Sequence, residues 1–214
     1  FAAVARAWEV RVGEGAAGEQ LAALLDEIEP ALVVTGPVQA SALPPVVLGS
    51  TLDRLLRRPG IALLMVNERV HRAYRRLLLA SDFSAPCAAA LQRARTQFPD
   101  AKFTVLHGYS VPMLGLLDSS RDQAIADAAT RLREEGRAFL REAGVDDGVE
   151  LLVEHGDPAR LVQQYVDSVG ADLVVLGTNG RGGIHELLVG SVARRMLTTV
   201  RADIRSVQVI ARSS

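Results

Sequence analysis

Short apolar runs recur along this chain at Ala31–Thr35, Ile61–Val66, Arg75–Ser81, Lys102–Gly108, Glu150–His155 and Asp172–Leu176. Each has the length of a strand, and most are bounded by glycine, proline, aspartate or serine. Between them the apolar spacing changes to a helical one. Ala85–Gln97 predicts a helix, with Ser84 as its cap and Pro86 tolerated in its first turn. Arg121–Ala143 places Ala and Leu on one face and Arg and Glu on the other. Asp157 predicts a cap for a helix reaching about Val169, with Pro158 at its first position. A helix over Gly190–Thr199 and a strand over Arg205–Ile210 complete the series. Strand and helix thus alternate from Arg75 onward, which predicts an open parallel five-stranded sheet with helices on both faces.

The chain also repeats itself. Trp8–Leu56 aligns without a gap on Val149–Leu197. Gly15 meets Gly156, Leu32-Val33-Val34 meets Leu173-Val174-Val175, Gly36 meets Gly177, and Gly49-Ser50 meets Gly190-Ser191. Glycines that agree at several separate turns in one register predict a tandem duplication. The first copy is a partial one. It predicts strands at Glu9–Gly13, Ala31–Thr35 and Ile61–Val66, and helices at Gly18–Ile28 and Ser50–Arg57. Tyr74–Arg141 has no counterpart in it, so a lost or absent earlier segment is expected. The organisation predicted is a degenerate partial unit over 1–70 and a complete unit over 74–214, joined by the short polar stretch Asn67–Tyr74.

The chemistry concentrates in Asp172–Ser191. An apolar run stops at Gly177, Gly180 follows, and Gly190-Ser191 opens the next helix. Glycines admit close backbone approach, and a helix start carries unpaired N–H groups with partial positive charge. Together they predict an anion cradle suited to phosphates. The charge of −1 gives no electrostatic footprint for nucleic acid. No apolar run approaches the ~18 residues of a membrane span. The single cysteine, Cys87, leaves no disulfide framework. With no secretory pattern of charged start and apolar middle, a cytoplasmic location is expected. Lys102 is the sole lysine, so a Walker-type loop is absent.

The spacing Gly177-x2-Gly180-x9-Gly190-Ser191 resembles the nucleotide-binding signature of the universal stress protein family. The resemblance spans about Arg75 to Ala211 and includes Asp82, Leu106-His107 and Gly156-Asp157-Pro158. It implies the adenine nucleotide alpha hydrolase-like fold with strand order 3-2-1-4-5, setting Asp82 beside Gly177. It further implies a stress-response regulatory protein binding ATP with Mg²⁺, with at most slow hydrolysis. The nucleotide-binding residues implied are Ser81, Asp82, Phe83, Gly108, Leu176, Gly177, Asn179, Gly180, Arg181, Gly190, Ser191 and Val192. Family members often pair through the last strand. A homodimer or an intramolecular pseudo-dimer is therefore expected there, and a free last-strand edge favours pairing.

Plainer readings stand beside these. Asp82 and Ser191 are also good capping residues by type, and Arg181 and His185 suit a solvated loop. His107 is expected to be structural. Cys87 is either activated by the helix start or, the safer reading, buried and inert. His155 shows no partner, and no metal-ligand spacing is present. In the first copy Gln39 replaces the second glycine, and Pro37, Pro44 and Pro45 stiffen the loop, so no nucleotide is expected there. Arg205 and Gln208 make the last strand unusually polar. The competing function is a dimeric scaffold without nucleotide. A pyrophosphatase-type transferase ranks last, because Ser81-Asp82-Phe83-Ser84 lacks the glycine-rich loop it needs.

Overall fold

The computed structural model describes residues 9–28, 32–37, 50–56, 61–67, 73–111, 121–145, 147–177 and 190–207. The elements are α1 (Ala17–Ile28), β1 (Leu32–Thr35), α2 (Ser50–Leu56), β2 (Ala62–Met65), β3 (Arg76–Ala80), α3 (Ala85–Gln97), β4 (Lys102–Tyr109), α4 (Arg121–Glu142), β5 (Val149–His155), α5 (Pro158–Val169), β6 (Leu173–Gly177), α6 (Ser191–Thr199) and β7 (Asp203–Val207). They form one seven-stranded sheet in the order β1-β2-β7-β6-β3-β4-β5. Every pairing is parallel except β2 with β7, which run antiparallel.

Strand periodicity sorts the core into two layers. Leu78, Val174, Leu176, Leu63 and Met65 face α1, α2, α5 and α6. Leu77, Leu79, Leu173 and Val175 face α3 and α4. Adjacent residues point to opposite faces, so runs such as Leu77-Leu78-Leu79 are apolar throughout because both faces are covered. In β6 the residues Leu173, Val174 and Val175 are 0%, 0% and 1% exposed.

The structure differs from expectation in three ways. Glu9–Gly13 forms no strand; Val10 and Val12 are 85% and 92% exposed. Its counterpart β5 pairs only with β4. No strand among the described residues stands beside it as β4 stands beside β5, so it has no ladder to join there. The last strand begins two residues earlier than the polar Asp203-Ile204 suggested, because Asp203 already pairs with Leu173. Finally, β7 has no free edge: β2 occupies it, with Ala62 opposite Val207 and Met65 opposite Ile204. Val209, Ile210 and Gln208 lie outside the described residues, as does the side chain of Arg205.

A polar clamp sits at the foot of this seam. Asp203 is 6% exposed. Its carboxylate accepts from Asn67 N at 2.7 Å and from the Tyr74 hydroxyl at 2.6 Å. Asn67 Nδ2 donates to the carbonyls of Val200 and Ala202. Burial pushes the Tyr74 hydroxyl above its ordinary pKa, and the hydrogen bond to Asp203 adds to the effect. Both ends of the predicted joining stretch are thereby tied to one buried carboxylate.

Candidate functional site

Strand order reverses between β3 and β6: the chain moves outward from β3 to β4 and β5, then returns to β6 and β7. Such a reversal opens a crevice beyond the carboxyl ends of the strands. A cavity of about 310 Å³ lies there. Ala80, Ser81 and Asp82 at the end of β3 form one side, and Leu176 and Gly177 at the end of β6 form another. Leu106, His107 and Gly108 of β4, Pro158 of α5, and Gly190 to Ala193 with Met196 of α6 complete the wall.

First-turn residues of three helices face this cavity: Cys87 of α3, Pro158 of α5 and Ser191 of α6. The first intrahelical bond of α6 is Arg194 N to the Gly190 carbonyl, at 3.0 Å. The amides of Ser191, Val192 and Ala193 therefore precede the helical ladder, at its positive end. Gly190 is the cap residue and Ser191 the first helical residue, so Ser191 is not the cap that its type suggested. A Cβ at Gly190 would meet nothing within 4 Å. The other two cavity glycines are set by packing. A Cβ at Gly177 would stand 2.9 Å from Cys87 Sγ, and one at Gly108 would stand 2.9 Å from Pro158 Cα. These glycines let α3 and α5 approach the sheet closely enough to bring their first turns to the cavity.

The turn Ser81–Ser84 is built by its own side chains. Ser81 Oγ accepts from Phe83 N at 3.0 Å. Asp82 Oδ1 accepts from Ser84 N at 3.1 Å and from the Cys87 thiol at 3.3 Å. Ser84 occupies the cap position of α3 without a side-chain capping bond, contrary to expectation. Cys87 is 4% exposed, and burial together with the Asp82 charge pushes its thiol up, which removes the activated reading. Asp157 accepts from Arg160 N at 3.0 Å, capping α5, and pairs with Arg195 of α6. Burial alone would raise the Asp157 carboxyl. The hydrogen bonds from Arg160 and Arg195, with the Arg195 charge, outweigh it and hold the carboxyl below its ordinary value.

Of the residues singled out by sequence, Ser81, Asp82, Gly108, Leu176, Gly177, Gly190, Ser191 and Val192 border this one cavity. Phe83 does not; its ring turns into the core toward Phe139, with centroids 5.5 Å apart. Asn179, Gly180, Arg181 and His185 lie outside the described residues. Leu106 and Pro158 entered the sequence reading only as part of the resemblance, Cys87 only as a thiol, and Ala193 and Met196 were missed. Met196 could have been found, since it stands four residues after Val192 on one helical face. His155, expected to lack a partner, packs edge-on against Tyr109 at 5.4 Å. No group of His, Cys, Asp and Glu among the described residues could hold a metal ion, and no described helix is long and apolar enough to cross a membrane.

Comparison with known proteins now has a geometry to meet. Residues 73–204 match the model of the universal stress protein family, which is β3 through the start of β7. The chain belongs to this family. A universal stress protein of Thermus aquaticus is 32% identical over 130 residues, covering 58% of this chain and 91% of that protein. One from Mycobacterium tuberculosis is 31% identical over 192 residues. That match covers 87% of this chain, so it runs into the N-terminal elements, and 63% of the longer relative. Among solved structures, a putative universal stress protein of Pseudomonas aeruginosa superposes with a TM-score of 0.65 at 21% identity. It covers 91% of this chain and 69% of that one, a likeness of fold.

Proposed function

We propose that this family member binds an adenine nucleotide, ATP with Mg²⁺, in the cavity between β3 and β6 and acts as a cytosolic regulatory module. The observation that carries the reading is the meeting of the α6 amino end, backed by the first turns of α3 and α5, with the Asp82 carboxylate across the strand-order reversal. Helix starts suit phosphates, and a carboxylate suits the hydroxyls of a ribose. The open space at Gly190 leaves room for phosphate against the amides of Ser191 and Val192. The backbone of His107 and Gly108 would read the adenine edge. The wall offers helix starts and a carboxylate suited to holding a ligand, and binding rather than turnover is the function proposed.

The N-terminal elements are, in this reading, a degenerate copy without a site of its own. Their role is to close β7 through β2, an internal version of pairing through last strands. A first test is to denature freshly purified protein and quantify released nucleotide by mass spectrometry, followed by calorimetry with ATP and Mg²⁺. About one adenine nucleotide per chain, or saturable uptake at that ratio, is the expected result. Absence of both would leave the scaffold reading. Asp82→Ala should weaken ATP binding about tenfold, the effect of one hydrogen bond to a charged group, while sparing tripolyphosphate. Equal losses for the two ligands would contradict a nucleoside-side role for Asp82.

A further inference from the structure

Phe83 is the one described residue other than glycine with positive φ, at 61°. For a bulky side chain that conformation is strained and persists only where the surroundings enforce it. The enforcement here can be traced. The Phe83 ring, 9% exposed, stacks on the His107 imidazole with centroids 4.5 Å apart and planes 23° apart. Its far edge reaches α4 at Gly136, where a Cβ would stand 2.9 Å from Phe83 Cζ. The same imidazole has a second hold on the turn: His107 Nδ1 lies 2.8 Å from the Ser81 carbonyl. A carbonyl oxygen can only accept, so Nδ1 carries the proton in this contact.

One imidazole therefore grips both residues that flank Asp82, Ser81 through its carbonyl and Phe83 through its ring. We propose that His107 is a positioning residue, which with Phe83 clamps the Ser81–Ser84 turn in its strained form and so aims the Asp82 carboxylate into the cavity. Without the clamp the backbone at Phe83 would relax to negative φ and carry Asp82 away from both Cys87 and the cavity. The affinity part of this proposal rests on the nucleotide reading; the geometric part does not.

The test uses the full chain and two variants. His107→Ala removes both grips, whereas His107→Asn keeps an amide donor where Nδ1 stood. Cys87 is the sole cysteine and is held by Asp82, so its alkylation by iodoacetamide reports the turn directly. His107→Ala should speed alkylation at least about fivefold, as a locally opened turn exposes the thiol. It should weaken AMP binding about tenfold and leave tripolyphosphate within about twofold, the size of effect expected for one buried hydrogen bond and a stack. His107→Asn should recover much of both. Parent-like alkylation and AMP affinity in His107→Ala would overturn the clamp. So would equal losses for AMP and tripolyphosphate with a lowered Tm in both variants, which would make His107 merely structural. If the parent chain binds neither AMP nor ATP, the nucleotide reading fails, and alkylation alone decides the clamp.

Discussion

The tripeptide Leu-Val-Val occurs at two places in the sheet and meets two fates. In β6, Leu173 and Val175 are 0% and 1% exposed; in β1, their counterparts Leu32 and Val34 are 37% and 58% exposed. Both strands are parallel neighbours of a following strand, β7 for β6 and β2 for β1. The difference lies on the other side. β6 also pairs with β3, and α3 packs over that face, while β1 is the edge of the described sheet. Residues alike in sequence thus acquire their burial from neighbours. Asp82 and Cys87 stand across from Gly177, and nothing among the described residues stands so across from Gly36.

The sharpest way to break this comparison is to truncate both leucines. Leu173→Ala should cost about 3 kcal/mol, as a fully buried leucine does. Leu32→Ala should stay within about 0.5 kcal/mol, as surface changes do. Urea denaturation followed by circular dichroism measures both, and similar losses would mean that β1 is covered in solution. The glycines give a second contrast. Gly177→Ala forces a Cβ to within 2.9 Å of Cys87 Sγ and should cost about 2 kcal/mol by overpacking. Gly36→Ala meets nothing within 4 Å and should be neutral within about 0.5 kcal/mol.

A third change addresses the seam that joins the two regions. Asp203→Asn can keep an oxygen for Asn67 N but loses the charged acceptor of the Tyr74 hydroxyl, at a cost of about 1.5 kcal/mol. Faster hydrogen exchange across β2, with β3 and β4 unchanged, is the expected sign. The smallest effect concerns capping. Asp157 caps α5 and pairs with Arg195, whereas the aligned residues ahead of and within the N-terminal helices are Ala16 and Arg54. Ala16→Asp should recreate the cap and slow exchange in α1 by the equivalent of about 0.5–1 kcal/mol.

Acid titration separates the Asp157 pair from the capping itself. The Asp157 carboxyl is held below its ordinary value, so its ionised form stabilises the fold at neutral pH, and that contribution disappears as pH falls through the folded value. Asp157→Asn keeps a capping oxygen and loses the charge. Its Tm should therefore lie slightly below that of the parent at pH 7 and converge with it as pH falls through and below the ordinary carboxylate range. A constant offset across that range would remove the ion pair from the account.

Much of the C-terminal architecture was legible because strands covered on both faces must be apolar throughout, and because helices announce themselves with caps such as Asp157-Pro158. The N-terminal misreading at Glu9–Gly13 has a different origin. The repeat register transfers a residue pattern but not a partner strand, and a strand exists only with its ladder. The site was legible in part for a similar reason. Glycine spacing pointed to the loop before α6, yet Gly177 and Gly108 are also demanded by α3 and α5, a reason visible only once helices are packed. Phe83 was assigned to the ligand by the family resemblance. Its positive φ, which turns the ring inward toward Phe139, leaves no trace in sequence.

The strand that covers β7 is carried on the same chain, tied by a short connection to β3 of the same sheet. Its closing is then a first-order event with no concentration in its rate law or its equilibrium. Two separate molecules sharing such an edge would part on dilution, and their degree of closure would follow expression level. Here the closed fraction is set once, by sequence, and is the same in a scarce cell as in a crowded one.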